Sequence, residues 1–252
     1  MAKKHKDYYD EECARLLAGK IAEVSPVFPA ADFVKKLSRE LDGKEFMDRQ
    51  DTFAAALDRY LPGPYPENIQ LLHRILGPEL QTPEGMFTHG YWLWPVGRYV
   101  ERNGVKDVPA SVDFCYELTK RFTGEFAMRP LLEAEPESTL QTVLAWSTDP
   151  NVHVRRLASE CLRIRLPWAR KSLIALRYFD TYKAILGNLR HDPVKFVQKS
   201  VGNNLNDLMK ESPPHAREII NAWESESPSK ATEWIIRHGL RSLRKQKKPP
   251  QS

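Results

Sequence analysis

DPNVHVRRLASECLRIRLPWAR (residues 149–170) and DPVKFVQKSVGNNLND (residues 192–207) are two versions of one pattern. Each opens Asp-Pro, carries a valine five places on (Val154, Val197), and follows it with two polar residues, Arg155-Arg156 and Gln198-Lys199. The openings lie 192 − 149 = 43 residues apart. In the first unit Val154, Leu157, Ala158, Cys161 and Leu162 fall at i, i+3, i+4, i+7 and i+8, the apolar stripe of a helix. Arg156, Glu160 and Arg163 gather on another face. In the second, Val197, Val201, Leu205 and Leu208 form the stripe, while Asn203 and Asp207, four apart, share a face away from it. Asp149 and Asp192 are the expected N-caps, with Pro150 and Pro193 as the expected first helical residues.

A helix-forming unit that recurs at this period is the mark of a HEAT-type array, whose repeats run roughly 40–47 residues. The spacing predicts a third helix over residues 233–243, EWIIRHGLRSL, burying Ile236, Leu240 and Leu243 and leaving Arg237, Arg241 and Arg244 outward. Helical periodicity also covers residues 31–42, 51–61, 67–76 and 111–123. Breaks are expected at Pro62-Gly63-Pro64, Gly77-Pro78, Thr82 to Gly85 and Ser212-Pro213-Pro214. No alternating strand of useful length is found, and the first half has no equally clean repeat. The expected fold is all-α, a HEAT-like helical repeat superhelix whose concave face binds nucleic acid. It is read as one domain over residues 1–245 with a basic, frayed tail over 246–252.

The 252 residues are 41% hydrophobic, ample for one large domain. Mean hydropathy is −0.53 and no long uncharged apolar run occurs, so no membrane span is expected. MAKKHKDYYDEE at the N-terminus lacks the apolar core of a signal peptide. Cys13, Cys115 and Cys161 are far apart with no CxxC pair, which argues against a disulfide framework or a zinc-cysteine site and fits a reducing cytoplasm. The net charge of +5 hides an asymmetry. Residues 151–252 hold 20 Lys and Arg against 9 Asp and Glu, a net of +11. Residues 1–150 hold the other 18 against 24, a net of −6. Clustered cations are what phosphate binding draws on, so the second half is the expected polyanion face. Arg241, Arg244, Lys245, Lys247 and Lys248 read equally well as a solvated tail.

Three acids stand out as catalytic candidates: Glu125, Glu160 and Asp207. Each has a structural alternative. Glu160 can pair with Arg156 along its own helix, worth a few tenths of a kcal/mol. Asp207 can solvate a helix end, and Glu125 can cap the helix before Arg129-Pro130. Trp168, after Pro167, can plug a gap between repeats. Tyr91, Trp92, Trp94 and Tyr99 offer base-stacking rings, but Pro95 reads better as a helix start over a core plug. No phosphate loop, HExxH or GxSxG is present, and the seven histidines lack ligand spacing. His238, between apolar residues, reads as a packing residue.

HVRRLASE followed by LPWA, then SVGNNLND, with the earlier TGEFAMRPLL, resembles the AlkC branch of the AlkD/AlkC HEAT-like alkylpurine DNA glycosylase family. The resemblance extends to YLPGPYPENIQLLHRILGPEL, YWLWPVGRYVERNG and WIIRHGLRSL, and so covers nearly the whole chain in order. It implies a superhelix cradling duplex DNA and excision of cationic N-alkylated bases, 3-methyladenine and in this branch 3-methylcytosine. It further implies access to the lesion without full extrusion of the base, unlike most glycosylases. Glu125, Glu160 and Asp207 fall on the family's carboxylate positions, Arg156 and Trp168 on its DNA- and sugar-contacting ones. Arg155, Lys199 and Arg237 complete the expected DNA-binding set. Some relatives carry a further C-terminal immunoglobulin-like domain, for which this chain is too short.

Two departures from the family pattern stand out. Cys161 and Ile164 replace a Gly and a Pro, altering the turn toward Trp168. Gln198 and Lys199 replace two arginines, removing a bidentate phosphate grip and one charge. The expected function is a monofunctional glycosylase acting on duplex DNA, monomeric, without cofactor or metal, in the bacterial cytoplasm and on the nucleoid when active. The alternative is a non-catalytic HEAT-like DNA-binding module.

Overall fold

The computed structural model describes residues 4–246, the last three by their backbone alone. All regular structure among the described residues is helical, and no strand occurs among them. The chain parts into two compact units, Met1–Glu135 and Pro136–Ser252.

The first unit contains α1 (Glu11–Val24), α2 (Ala30–Glu40), α3 (Phe46–Tyr60), α4 (Tyr65–Arg74), the single turn α5 (Met86–His89), α6 (Trp94–Asn103), α7 (Val108–Thr119) and α8 (Glu125–Ala134). Short polar side chains start several of them. Asp10 accepts from the Glu12 and Cys13 amides at 3.0 and 3.1 Å, and Asp107 from the Ala110 amide at 3.2 Å. Pro95 and Pro109 sit in the first turns of α6 and α7, where no amide is needed. Helix α1 packs on α2, α3 on α6, and α8 on both α6 and α7. Trp92, Trp94 and Tyr99 are buried. Trp94 lies edge-on to Phe46 at 4.7 Å and against Phe122 at 5.5 Å, so the cluster is a core plug.

The second unit contains α9 (Pro136–Trp146), α10 (Val152–Glu160), the single turn α11 (Ile174–Arg177), α12 (Phe179–Leu189), α13 (Lys195–Glu211), α14 (Pro213–Ser225), α15 (Lys230–Gly239) and α16 (Arg241–Gln246). Helices α10 and α13 begin 195 − 152 = 43 residues apart and pack against each other. The sequence stripe is their interior: Val154, Leu157, Ala158, Cys161, Leu162, Val197, Val201, Leu205 and Leu208 all have zero exposure. Pro213 and Pro214 open α14 at the expected break.

Two expectations are corrected. Asp149 and Asp192 do not cap their helices, which begin three residues after the Asp, two later than expected. Each folds into an Asx turn: Asp149 Oδ1 accepts from the Asn151 amide at 2.7 Å, Asp192 Oδ1 from the Val194 amide at 2.9 Å. The proline between offers no amide, so the carboxylate takes the next one. Asn151 then caps α10, accepting from His153 at 2.9 Å. The final helix is also broken, at Leu240. The break changes its phase: Ile235 and Ile236 are buried, Leu240 is half-buried and Leu243 is 39% exposed. Arg241 is turned inward, donating to Asn203 Oδ1 at 2.9 Å and the His238 carbonyl at 2.7 Å, whereas Arg237 stays outward. The side chain of Arg244, and the tail beyond Gln246, lie outside the described residues.

Helices α13 and α15 approach through two glycines. A Cβ on Gly239 would stand 2.7 Å from Leu205 Cβ, and one on Gly202 2.8 Å from the His238 ring. Cys13, Cys115 and Cys161 are all buried, at most 1% exposed. No described helix is long and apolar enough to cross a membrane.

Candidate active site

The packing of α10 on α13 brings Glu160, the last residue of α10, beside Asp207 on α13. One guanidinium joins them. Arg163 Nη1 donates to Glu160 Oε1 at 2.9 Å, and its Nε donates to Asp207 Oδ2 at 3.0 Å. Arg156 Nη2 lies 3.4 Å from the same Glu160 oxygen. Ser200 Oγ donates to Glu160 Oε2 at 2.6 Å. Glu160 and Asp207 are 5% and 4% exposed, so each charge lacks bulk water and depends on these donors. Burial alone would push the Glu160 carboxyl up. The Arg156 and Arg163 guanidinium groups and the two hydrogen bonds outweigh it and hold this carboxyl below its ordinary range. Burial pulls Arg163 down, but Glu160 and Asp207 more than offset that and raise it, so it stays a cation.

Behind the acids lies a fully buried polar chain. Ser159 and Ser200 hydroxyls are 2.7 Å apart, Asn204 Nδ2 donates to the Ser159 carbonyl at 2.9 Å, and Tyr182 donates to Asn204 Oδ1 at 3.2 Å. Arg156 also lies over the Phe196 ring, 5.2 Å from its centre. Both contacts pin this side chain, the first of them the pairing along the helix that the sequence spacing allows.

Trp168 tops the loop between α10 and α11. It is 57% exposed and its φ is +62°, the left-handed region that a bulky residue rarely occupies. The loop is tied down around it. The Ser172 amide donates to the Ile164 carbonyl at 3.2 Å. Arg165 donates to Glu211 Oε2 at 3.0 Å, and Lys171 to the other Glu211 oxygen. The base of the loop also touches the acid pair: the Arg165 amide points at Asp207 Oδ2 at 3.4 Å, and Arg163 Nη2 at the Arg165 carbonyl at 3.3 Å. Cys161 and Ile164, at the start of this loop, are buried.

The remaining expected residues divide. Glu125 is buried and opens α8 in the first unit, where the helix N-terminus favours its charge. Arg155 donates to Asp192 Oδ2 at 2.6 Å and to the Asp149 and Pro150 carbonyls, both at 2.9 Å, joining one Asx turn to the next. Gln198 is buried and bonds the Asp192 carbonyl at 2.7 Å, so this departure faces inward. Lys199 and Arg237 are exposed. Near them Lys195 lies 4.1 Å over the Trp234 ring, and Trp234 stacks on His238 at 4.9 Å. His238 donates to Asn203 Oδ1 at 3.1 Å; burial, then Arg241, Lys199 and Arg163, lower its pKa.

The sequence placed Arg163 on the right face without a role, because its partner Asp207 is 44 positions away. Nothing in the spacing marked Ser159, Ser200, Asn204 or Tyr182, whose bonds are all set by packing. Among the described residues no group of three or more His, Cys, Asp or Glu is placed to hold a metal. The arrangement offers two fixed anions, a pinned arginine and an exposed indole, a set suited to a developing positive charge.

Residues 112–243, that is 132 of 252, match the family of DNA alkylation repair enzymes, and the chain belongs to that family. The protein YhaZ of Bacillus subtilis is 35% identical over 243 residues, which make up 95% of this chain and 64% of that relative. Among solved structures, the chain is similar to Pseudomonas fluorescens AlkC, an alkylpurine DNA glycosylase bound to DNA containing an abasic site analog. That match has a TM-score of 0.83 at 32% identity, over 98% of this chain and 66% of the other. This chain thus spans just under two thirds of the length of each.

Proposed function

We propose that the protein is a monofunctional DNA glycosylase that hydrolyses the N-glycosidic bond of cationic alkylated bases, 3-methyladenine and 3-methylcytosine, in duplex DNA. The observation that carries the reading is the pair of carboxylates, one from each repeat, gathered on Arg163 with Glu160 kept ionised. Family membership and the likeness to a DNA-bound alkylpurine glycosylase support it.

A base that already bears a positive charge leaves without protonation. As the C1′–N bond breaks, its electron pair neutralises the base and positive charge passes to the deoxyribose. Anions fixed beside the sugar stabilise that charge more strongly as it grows, which is the condition for lowering a barrier. Water then adds at C1′, and Glu160 or Asp207 accepts its proton. Arg156 is assigned to a flanking phosphate, as its planar fork suits, and the Trp168 face to the sugar cation. Glu125 is kept as a catalytic candidate on the family resemblance alone. Lys199 and Arg237 are assigned to the DNA backbone. The protein acts as a monomer.

A second reading, a DNA-binding module without activity, is favoured by one fact: Glu160 and Asp207 are both engaged by Arg163, as in a structural ion network. Release of free base from methylated duplex DNA separates the two. The glycosylase reading expects Asp207→Asn to lower single-turnover release on the order of 10²-fold, the loss seen when one fixed charge-stabilising group is removed, with DNA affinity retained. Salt-sensitive binding without release would leave the binding module.

A further inference from the structure

The two acids come from different repeats, and a single side chain decides how they stand. Arg163 spans from Glu160 to Asp207 with bonds of 2.9 and 3.0 Å and is itself only about one tenth exposed. Its remaining Nη2 points at the Arg165 carbonyl, three residues before Trp168, while Asp207 receives the Arg165 amide. Arg163 thus touches both acids and the base of the tryptophan loop. Building on the glycosylase reading above, we infer that Arg163 is a positioning residue: it holds Glu160 and Asp207 side by side and registers the Trp168 loop against them.

The physical reason is desolvation. Two carboxylates with almost no solvent contact cannot both stay charged unless a cation stands between them, since like charges raise each other's pKa. A guanidinium does this with two separate N–H edges in one plane; an ammonium reaches one partner at a time. The other charged or titratable groups facing the pair are accounted for. Arg156 on α10 stays with Glu160. Arg241 on α16 and Tyr182 on α12 lie within electrostatic reach of Asp207 and Arg163. His238 on α15 lies within reach of Lys199 and Arg163, and its lowered pKa keeps it neutral over more of the pH range. None of these bonds both acids, so none substitutes for Arg163.

The experiment follows the pH profile of single-turnover release of 3-methyladenine from methylated duplex DNA by the full chain, comparing parent, Arg163→Gln and Arg163→Lys. With Arg163→Gln, the acid limb is expected to move up by about one to two pH units, within the range an adjacent opposite charge imposes. Arg163→Lys is expected to move it by about half as much. A cooperatively folding variant whose limb stays within about 0.3 pH unit of the parent overturns the assignment, and either variant suffices if the other does not fold. Carbon-13 titration of the Glu160 carboxyl, identified by its loss in Glu160→Gln, reads the same shift without turnover. If the parent releases no base, the glycosylase reading fails; the titration then still decides whether Arg163 keeps the carboxylate charged. An active parent with unshifted titration in Arg163→Gln overturns the positioning role alone.

Discussion

Replacing Arg155 by Met keeps the stem of the side chain and removes its guanidinium. The structure gives that group three bonds: Asp192 at 2.6 Å and the Asp149 and Pro150 carbonyls at 2.9 Å. Asp192 is the side left exposed to loss, because its side chain is 3% exposed and would keep one backbone donor, Val194, at 2.9 Å. Breaking a buried pair by removing one partner costs about 3–5 kcal/mol. The Arg155 side chain is 17% exposed, so water can reach the vacated space, and about 2–3 kcal/mol is the better figure. For a chain of this size each kcal/mol moves Tm by about 2–4 °C, giving a drop of about 4–12 °C. A cycle of Arg155→Met and Asp192→Asn, followed by thermal unfolding, should return a coupling above about 1 kcal/mol. In the same series the salt dependence of DNA binding should hardly change for Arg155→Met but lose about one charge for Lys199→Met. Arg155→Met melting with the parent while its salt slope falls would show that Arg155 serves the DNA instead of the repeat junction, and the reasoning would be wrong.

Gly239→Ala should lower Tm despite a gain in helix propensity of about 1 kcal/mol, because its methyl would meet Leu205 Cβ at 2.7 Å, an atom tied to the backbone; overpacking costs about 1–3 kcal/mol, and a raised melting point refutes the close approach. Glu160 has a folded pKa below the ordinary value of 4.5, so it adds stability that is present above that pH and disappears as pH falls through the folded value; Glu160→Gln should flatten acid unfolding over that interval, and an unchanged acid transition counts against it. Trp168→Gly relieves a left-handed φ that costs about 1–2 kcal/mol for an L side chain, so calorimetry should find Tm unchanged or raised while base release falls; a lower Tm with normal release contradicts both halves.

The sequence was most legible where a feature is periodic and local. The Asp-Pro echo located α10 and α13, and every apolar position of the two stripes is buried. It was less legible at helix ends, where side chains compete with the backbone. Asp149 was expected as a cap, yet a proline without an amide turned it toward Asn151. Leu243 was expected inside, but continuing one helix through Gly239 ignored the break at Leu240 that resets the phase. The candidate acids could be picked out, and Arg156 was rightly placed near Glu160. What joins them could not be, since Arg163 meets Asp207, and Ser200 meets Glu160, across about forty residues of chain. Arg155 shows the same limit from the other side: an arginine in a basic stretch looks available to phosphate until the neighbouring repeat supplies its carboxylate.

The burial of all three cysteines has a consequence for a protein proposed to work where DNA is being methylated. Thiolates are among the strongest nucleophiles a cell contains, and they react with the same electrophiles that damage bases. Cys13, Cys115 and Cys161 are all buried, and Cys161 directly follows Glu160 in sequence. The folded chain therefore presents almost no thiol surface to the agents that would make its substrate. It would be expected to stay unmodified through the exposure that calls for it, and to become vulnerable only on unfolding.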